Sequence, residues 1–205
     1  MKQGRFIVFE GIDGAGKTTQ IDLLEQHLRR QGTAVWRTAE PTDSVTGGLL
    51  RDALCGASRR SACEMAALFT LDRIHHNVNP VVGIGKMLRD GRDVICDRYY
   101  YSSLAYQGSE TDPEWVRRMN LDCPEIRRPD LCIFLDLTPE QSMERIRRSR
   151  ATQEIYETQE RLEAVRAKFL QVIASLRDAE RIVVVNAARP MEEIHAEICA
   201  LVADL

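Results

Sequence analysis

Phe6-Ile-Val-Phe9-Glu10-Gly11-Ile12-Asp13-Gly14-Ala15-Gly16-Lys17-Thr18 is the stretch that decides the fold. Its four leading apolar residues read as a buried strand. They run directly into G-x-x-x-x-G-K-[ST], filled here by Gly11, Ile12, Asp13, Gly14, Ala15, Gly16, Lys17 and Thr18. Beyond the loop, Ile21, Leu24 and Leu28 share one face of a helix expected over Thr18–Gln31, with Gly32 as its stop. Strand, glycine loop and helix in this order make a phosphate cradle. Glycines let backbone N–H groups turn inward around phosphate oxygens, and the helix N-terminus adds partial positive charge. Lys17 would reach the β- and γ-phosphates of a nucleoside triphosphate, and the Thr18 hydroxyl would take a place on Mg²⁺. The loop alone leaves the reaction open, since kinases, switch GTPases and motor ATPases share it. A guanine-reading N-K-x-D does not occur in the chain.

Outward from the loop, strand and helix patterns alternate. Further strands are expected at Ala34–Thr38, Asp93–Asp97, Leu131–Leu137 and Arg181–Asn186, the first strand being Arg5–Glu10. Ser61-x-x-Glu64 is a capping box opening a helix through His76, and Pro80 should kink or restart it before Gly91. Thr138-Pro139 is an N-cap and first-turn pair for a helix to about Arg150. Leu162, Val165, Phe169, Val172 and Leu176 form a core-facing stripe, and a last helix spans Pro190 to Ala203. This order implies an α/β fold of the P-loop kind. Five parallel strands would be flanked by helices on both faces, in a single domain over residues 1–205. Ligands bind such sheets beyond the carboxyl ends of the strands.

With 205 residues, 44% of them apolar, the chain can bury a substantial core. Its 28 basic residues (24 arginines and four lysines) face 31 acidic ones, for a net charge of −3. That balance argues against a nucleic-acid polymer as partner. No apolar window approaches the length of a membrane span, and the first residues do not read as a signal peptide, so a cytoplasmic protein is expected. The six cysteines lack a C-x-x-C pair and read as small buried thiols in a reducing compartment.

A second constellation follows the third strand. Val94-Ile-Cys-Asp97-Arg98-Tyr99 puts an acid and an arginine at the carboxyl end of a buried strand, expected to adjoin the phosphate loop. Asp97 could hold Mg²⁺ through water or steer an attacking oxygen, and Arg98 could neutralise an acceptor's phosphate. Phe69 and Arg73, four apart, share a helical face. They could stack a base and bond its edge, or be a core phenylalanine with a snorkelling arginine. Arg145, Arg147, Arg148 and Arg150 crowd one helix end, as a lid around residues 145–157 bringing arginine to a phosphoryl group would require.

With Ser102-Ser103-Leu-Ala-Tyr106-Gln107, Glu40-Pro41, Leu135-Asp-Leu-Thr-Pro139 and Asn186-Ala187 added, the chain resembles the thymidylate kinases along nearly its whole length. The resemblance implies ATP and Mg²⁺ as cofactors, dTMP as substrate, dTDP and ADP as products, and a homodimer. It implies that Asp13 approaches the acceptor's 3′-hydroxyl. Phe69 would stack on thymine and Arg73 bind its edge. Arg98 would hold the 5′-phosphate, with Arg51 near it and Asp97 beside the metal. Ser103 and Gln107 would contact the base, Tyr106 would lie against the deoxyribose, and Glu40-Pro41, often cis, would sit near the base methyl. Arg145 would flank adenine. Ala39 stands where many bacterial members carry arginine, and the Glu-Pro-Thr-Asp and Glu-Ile-Tyr-Glu wording looks more like archaeal-type members. Since the loop reads Asp13-Gly14 without arginine, the resemblance leaves transition-state charge to a lid arginine, Arg150. The rival readings are another P-loop nucleoside or nucleotide kinase, and a non-catalytic nucleotide switch or DNA-handling ATPase. The last would favour an Asp-Glu pair over Asp97-Arg98.

Overall fold

A computed structural model describes residues 3–149 and 158–205. Five strands, β1 (Phe6–Glu10), β2 (Val35–Ala39), β3 (Asp93–Asp97), β4 (Leu131–Asp136) and β5 (Ile182–Asn186), form one sheet in the order β2-β3-β1-β4-β5. Every pairing is parallel. The intervening helices are α1 (Lys17–Arg30), α2 (Val45–Leu54), α3 (Ala62–Val78), α4 (Ile84–Arg89), α5 (Tyr100–Glu110), α6 (Pro113–Leu121), α7 (Pro139–Ser149), α8 (Gln159–Leu176) and α9 (Met191–Ala203). Continuous apolar runs in β1, β3 and β4 are buried nearly throughout, as a sheet covered on both faces requires. The edge strands β2 and β5 are more open, with one buried residue each, Val35 and Val185.

All five expected strands and the α/β class are present. The Ser61–Glu64 capping box is formed in full, and Thr138 Oγ1 accepts from the Gln141 amide at the start of α7. Two expectations need correction. In α8 the fully turned-in position is Ile173 rather than Val172, so the buried stripe is Leu162, Val165, Phe169, Ile173 and Leu176. Val172 is partly buried beside this stripe and packs against the core. Of the six cysteines only Cys96 and Cys132 are buried, while Cys55 and Cys63 are exposed. Helices α2, α5 and α6 were not anticipated. No helix among the described residues is long and apolar enough to cross a membrane.

The strand order places the loop after β1 at the point where connections leave to opposite sides, toward β3 and toward β4. Phe9 is in register with Asp97, and the Arg98 amide donates to the Phe9 carbonyl at 2.9 Å. The phosphate loop and Asp97-Arg98 are therefore neighbours, although 80 residues of chain separate them.

Candidate active site

The loop from Gly11 to Gly16 adopts a backbone that only its glycines permit. Gly14 and Gly16 have φ of 79° and 93°, and Gly16 caps α1 from the left-handed region. A Cβ on Gly11 would stand 2.7 Å from the Leu135 carbonyl oxygen, so the loop lies against β4 with no room for a side chain. Lys17, the first residue of α1, bends back over the loop. Its Nζ donates to the Gly11 and Ile12 carbonyls at 3.0 and 3.3 Å. Burial, with Arg98 nearby, lowers the Lys17 pKa to about 8.

The loop, Thr18, Asp97, Arg98 and Arg145 line a cavity of about 790 Å³, which Arg189, Met191 and Ile194 close from the far side. Arg145 spans it, donating to the Ala187 carbonyl at 2.8 Å and reaching the Ala15 carbonyl at 3.5 Å. Arg145 to Ser149 belong to α7, and Arg150 and the rest of the expected lid lie outside the described residues. Thr18 is exposed at the cavity, and Asp97 Oδ1 is buried with no hydrogen-bond partner in the structure. A hydroxyl and an unsatisfied carboxylate oxygen are a hard donor set that fits Mg²⁺.

A second cavity, of about 290 Å³, opens beside the first and shares Asp13, Glu40, Pro41 and Arg98 with it. Phe69, Arg73, Ser103, Tyr106 and Gln107 line it, along with Arg161 of α8. Its floor is an internal ion pair. Arg73, only 1% exposed, bonds Glu40 at 2.8 and 2.7 Å, donates to Ser103 Oγ at 3.2 Å and also bonds Asn120. This arginine does not snorkel; it is enclosed, because a carboxylate and two polar side chains take up most of its donors. Glu40 is turned inward at a cis Glu40-Pro41 bond and reaches His76 Nδ1 at 3.0 Å with its other oxygen. Arg51 lines neither cavity. It donates to the Thr42 carbonyl at 2.5 Å and lies 3.8 Å from Asp43.

Arg98 stands at the junction. Its φ of 67° is unusual for a residue with a side chain, and this turn aims the guanidinium at the loop. There it donates to Asp13 Oδ1 at 2.5 Å and Ser102 Oγ at 3.2 Å, with its carbon 5.7 Å from the Tyr106 ring centre. The residue that holds this turn is Glu10, unremarked in the sequence except as the end of an apolar run. Fully buried, it accepts from the Tyr99 and Ser102 amides at 2.8 and 3.2 Å and from Ser102 Oγ at 2.7 Å. Tyr99 offers no cap of its own, so a carboxylate from β1 caps α5. Burial raises the Glu10 pKa, against the pull of Arg98. A charged residue closing an otherwise apolar central strand was the available signal.

Comparison with known proteins bears on this geometry directly. The family model described as Thymidylate kinase matches residues 9–198, from the end of β1 to within α9. The chain belongs to the thymidylate kinase family. Proteins named "Probable thymidylate kinase" from Pyrococcus horikoshii and Methanocaldococcus jannaschii are 39% and 34% identical to it. Those alignments cover 98% and 97% of this chain and 96% and 95% of the relatives. A "Putative thymidylate kinase" from Treponema pallidum is 33% identical over 94% of this chain and 92% of its own length.

Proposed function

We propose that the protein transfers the γ-phosphoryl group of ATP to dTMP, giving dTDP and ADP, in the cytoplasm. The observation that carries this reading is the pair of cavities meeting at Asp13 and Arg98, one walled by a phosphate loop and one by an aromatic ring and buried polar groups. The larger cavity takes the triphosphate. Lys17 would give up its two carbonyl contacts for β- and γ-oxygens, and Arg145 would lie along the adenine. Thr18 and Asp97 would hold Mg²⁺, which when bound neutralises charge between the β- and γ-phosphates. In the smaller cavity Phe69 stacks the base. Arg73, Ser103 and Gln107 meet its edge, and Tyr106 fills the space beside the sugar's 2′-carbon.

The nucleophile is an oxygen of the acceptor's 5′-phosphate. It forms the new bond to the γ-phosphorus as the bond to the β-bridging oxygen breaks, and ADP keeps that electron pair. The acceptor oxygen is already ionised, so the protein's work is alignment and charge neutralisation rather than proton removal. Arg98 exchanges Asp13 for the incoming phosphate. Asp13 then faces the 3′-hydroxyl, and Arg51 can swing from Thr42 toward the same phosphate. Arg150 supplies further positive charge from the lid.

A homodimer is part of the proposal. Leu71 and Val78 of α3, with Val81 and Val82 beyond it and Val45 and Leu49 of α2, are apolar and exposed, material for a subunit contact. Light scattering during gel filtration should give twice the chain mass. For the activity, ADP release is measured with dTMP, dUMP, thymidine, dCMP and AMP in turn. The reading requires dTMP to be best and thymidine to be inert; phosphorylation of thymidine, or a better rate with AMP, would overturn it.

A further inference from the structure

The side of the molecule where α1 packs on α9 carries a donor cluster that phosphoryl transfer does not use. His27 lies in the last turn of α1, and His195 and Cys199 are four apart on one face of α9. One donor atom from each of the three lies within 4.8 Å of the others, and among the described residues no other such group of histidine, cysteine and carboxylate side chains occurs. Cys199 Sγ is 3.5 Å from His195 Nε2 and 3.8 Å from its Nδ1. A tetrahedral zinc centre with usual bond lengths puts its sulfur and nitrogen ligands about 3.5 Å apart. The two imidazoles meet edge to face with centres 5.8 Å apart, so both can turn a nitrogen toward one point.

We propose that His27, His195 and Cys199 form a three-ligand Zn²⁺ site that clasps α9 to α1, with water in the fourth position. All three side chains are half-buried, so the ion has access and a solvent-facing coordination position. Two imidazoles and a thiol suit a borderline-soft cation and not Mg²⁺, which takes oxygen. The clasp and the nucleotide's metal therefore do not compete. Binding displaces the Cys199 thiol proton to solvent as the Zn–S bond forms. The clasp joins the end of α1 to a helix whose start borders the larger cavity. Gln20 of α1 already donates to the Met191 carbonyl there at 3.1 Å.

The test uses the whole reduced protein, stripped of metal and dialysed against Zn²⁺ with Mg²⁺ in excess. One zinc per chain is expected after desalting, with a higher Tm than the stripped protein. Co²⁺ in its place should give a thiolate-to-cobalt charge-transfer band. Cys199→Ser and His195→Ala should each weaken zinc binding by at least about 100-fold, since even outer-shell changes cost 10–100-fold. Neither should alter phosphoryl transfer, which also reports that they fold. Cys63→Ser should bind as the unaltered chain does. No retained zinc, or zinc retained equally by Cys199→Ser and His195→Ala, would overturn the site.

Discussion

The two cavities are built by opposite means. The larger is built around one contiguous loop, with Asp97, Arg98 and Arg145 completing its walls, and the loop's lysine is held by carbonyls of that same loop. The smaller is made mostly of side chains from α3, α5 and the turns after β2 and β3, with Arg161 of α8, and its floor is a buried ion pair. A backbone cradle depends on glycine geometry and tolerates no side chains. A side-chain pocket depends on each polar group finding a partner, so that binding and stability share the same residues.

If that contrast holds, damage to the two regions has different signatures. Removing the guanidinium in Arg73→Ala leaves Glu40 buried beside His76 alone. This should cost about 3–5 kcal/mol of folding stability and be visible as a large fall in Tm. Lys17→Ala should not lower Tm, since burying the ammonium costs stability, and should lower kcat/KM by about 10²-fold or more, consistent with losing a charge-assisted contact in a preorganised site. A variant of either residue with the other's signature would break the comparison. Phe69→Ala is intermediate. Its ring lines the smaller cavity without belonging to the ion pair, so dTMP binding should weaken by about 1–3 kcal/mol, the worth of a base–aromatic stack, with ATP binding unaffected.

The smallest effect is on pH. Lys17 in the free protein titrates at about 8, below its ordinary 10.5. Above pH 8 the free enzyme loses that charge, so kcat/KM for ATP should fall on the alkaline side. The kcat limb should lie higher, because bound phosphates favour the ammonium. For folding the sign is opposite. The unfolded chain binds the extra proton between pH 8 and 10.5, so the cost of burying the ammonium, present in full below pH 8, is relieved as pH rises. Coincident limbs for kcat and kcat/KM would mean that Lys17 does not meet the phosphates.

The same contrast explains what could be read from the sequence. Strands with apolar runs, the glycine loop and the capped starts of α3 and α7 are local patterns, and all were legible. Helix α5 was not, because Tyr-Tyr-Ser-Ser has modest helix propensity and its cap comes from Glu10, 89 residues before Tyr99. Helix α2 carries Gly47 and Gly48, which weaken the periodic signal. Helix α6 has a local signal in Asp112-Pro113, and the Asp112 side chain caps it. In the smaller cavity, Phe69 and Arg73 were placed on one face correctly. That Arg73 would be enclosed by Glu40, Asn120 and Ser103 depends on contacts over 30 to 47 residues, which no local pattern encodes.

The junction residue tests the account most directly. Dissociation constants of dTMP and thymidine, which differ by one phosphate, are measured on the unaltered protein and on Arg98→Ala. If Arg98 leaves Asp13 to grip the acceptor phosphate, dTMP binds far more tightly than thymidine to the first, and the two ligands become nearly equal on the second. An undiminished preference for dTMP in Arg98→Ala would contradict it.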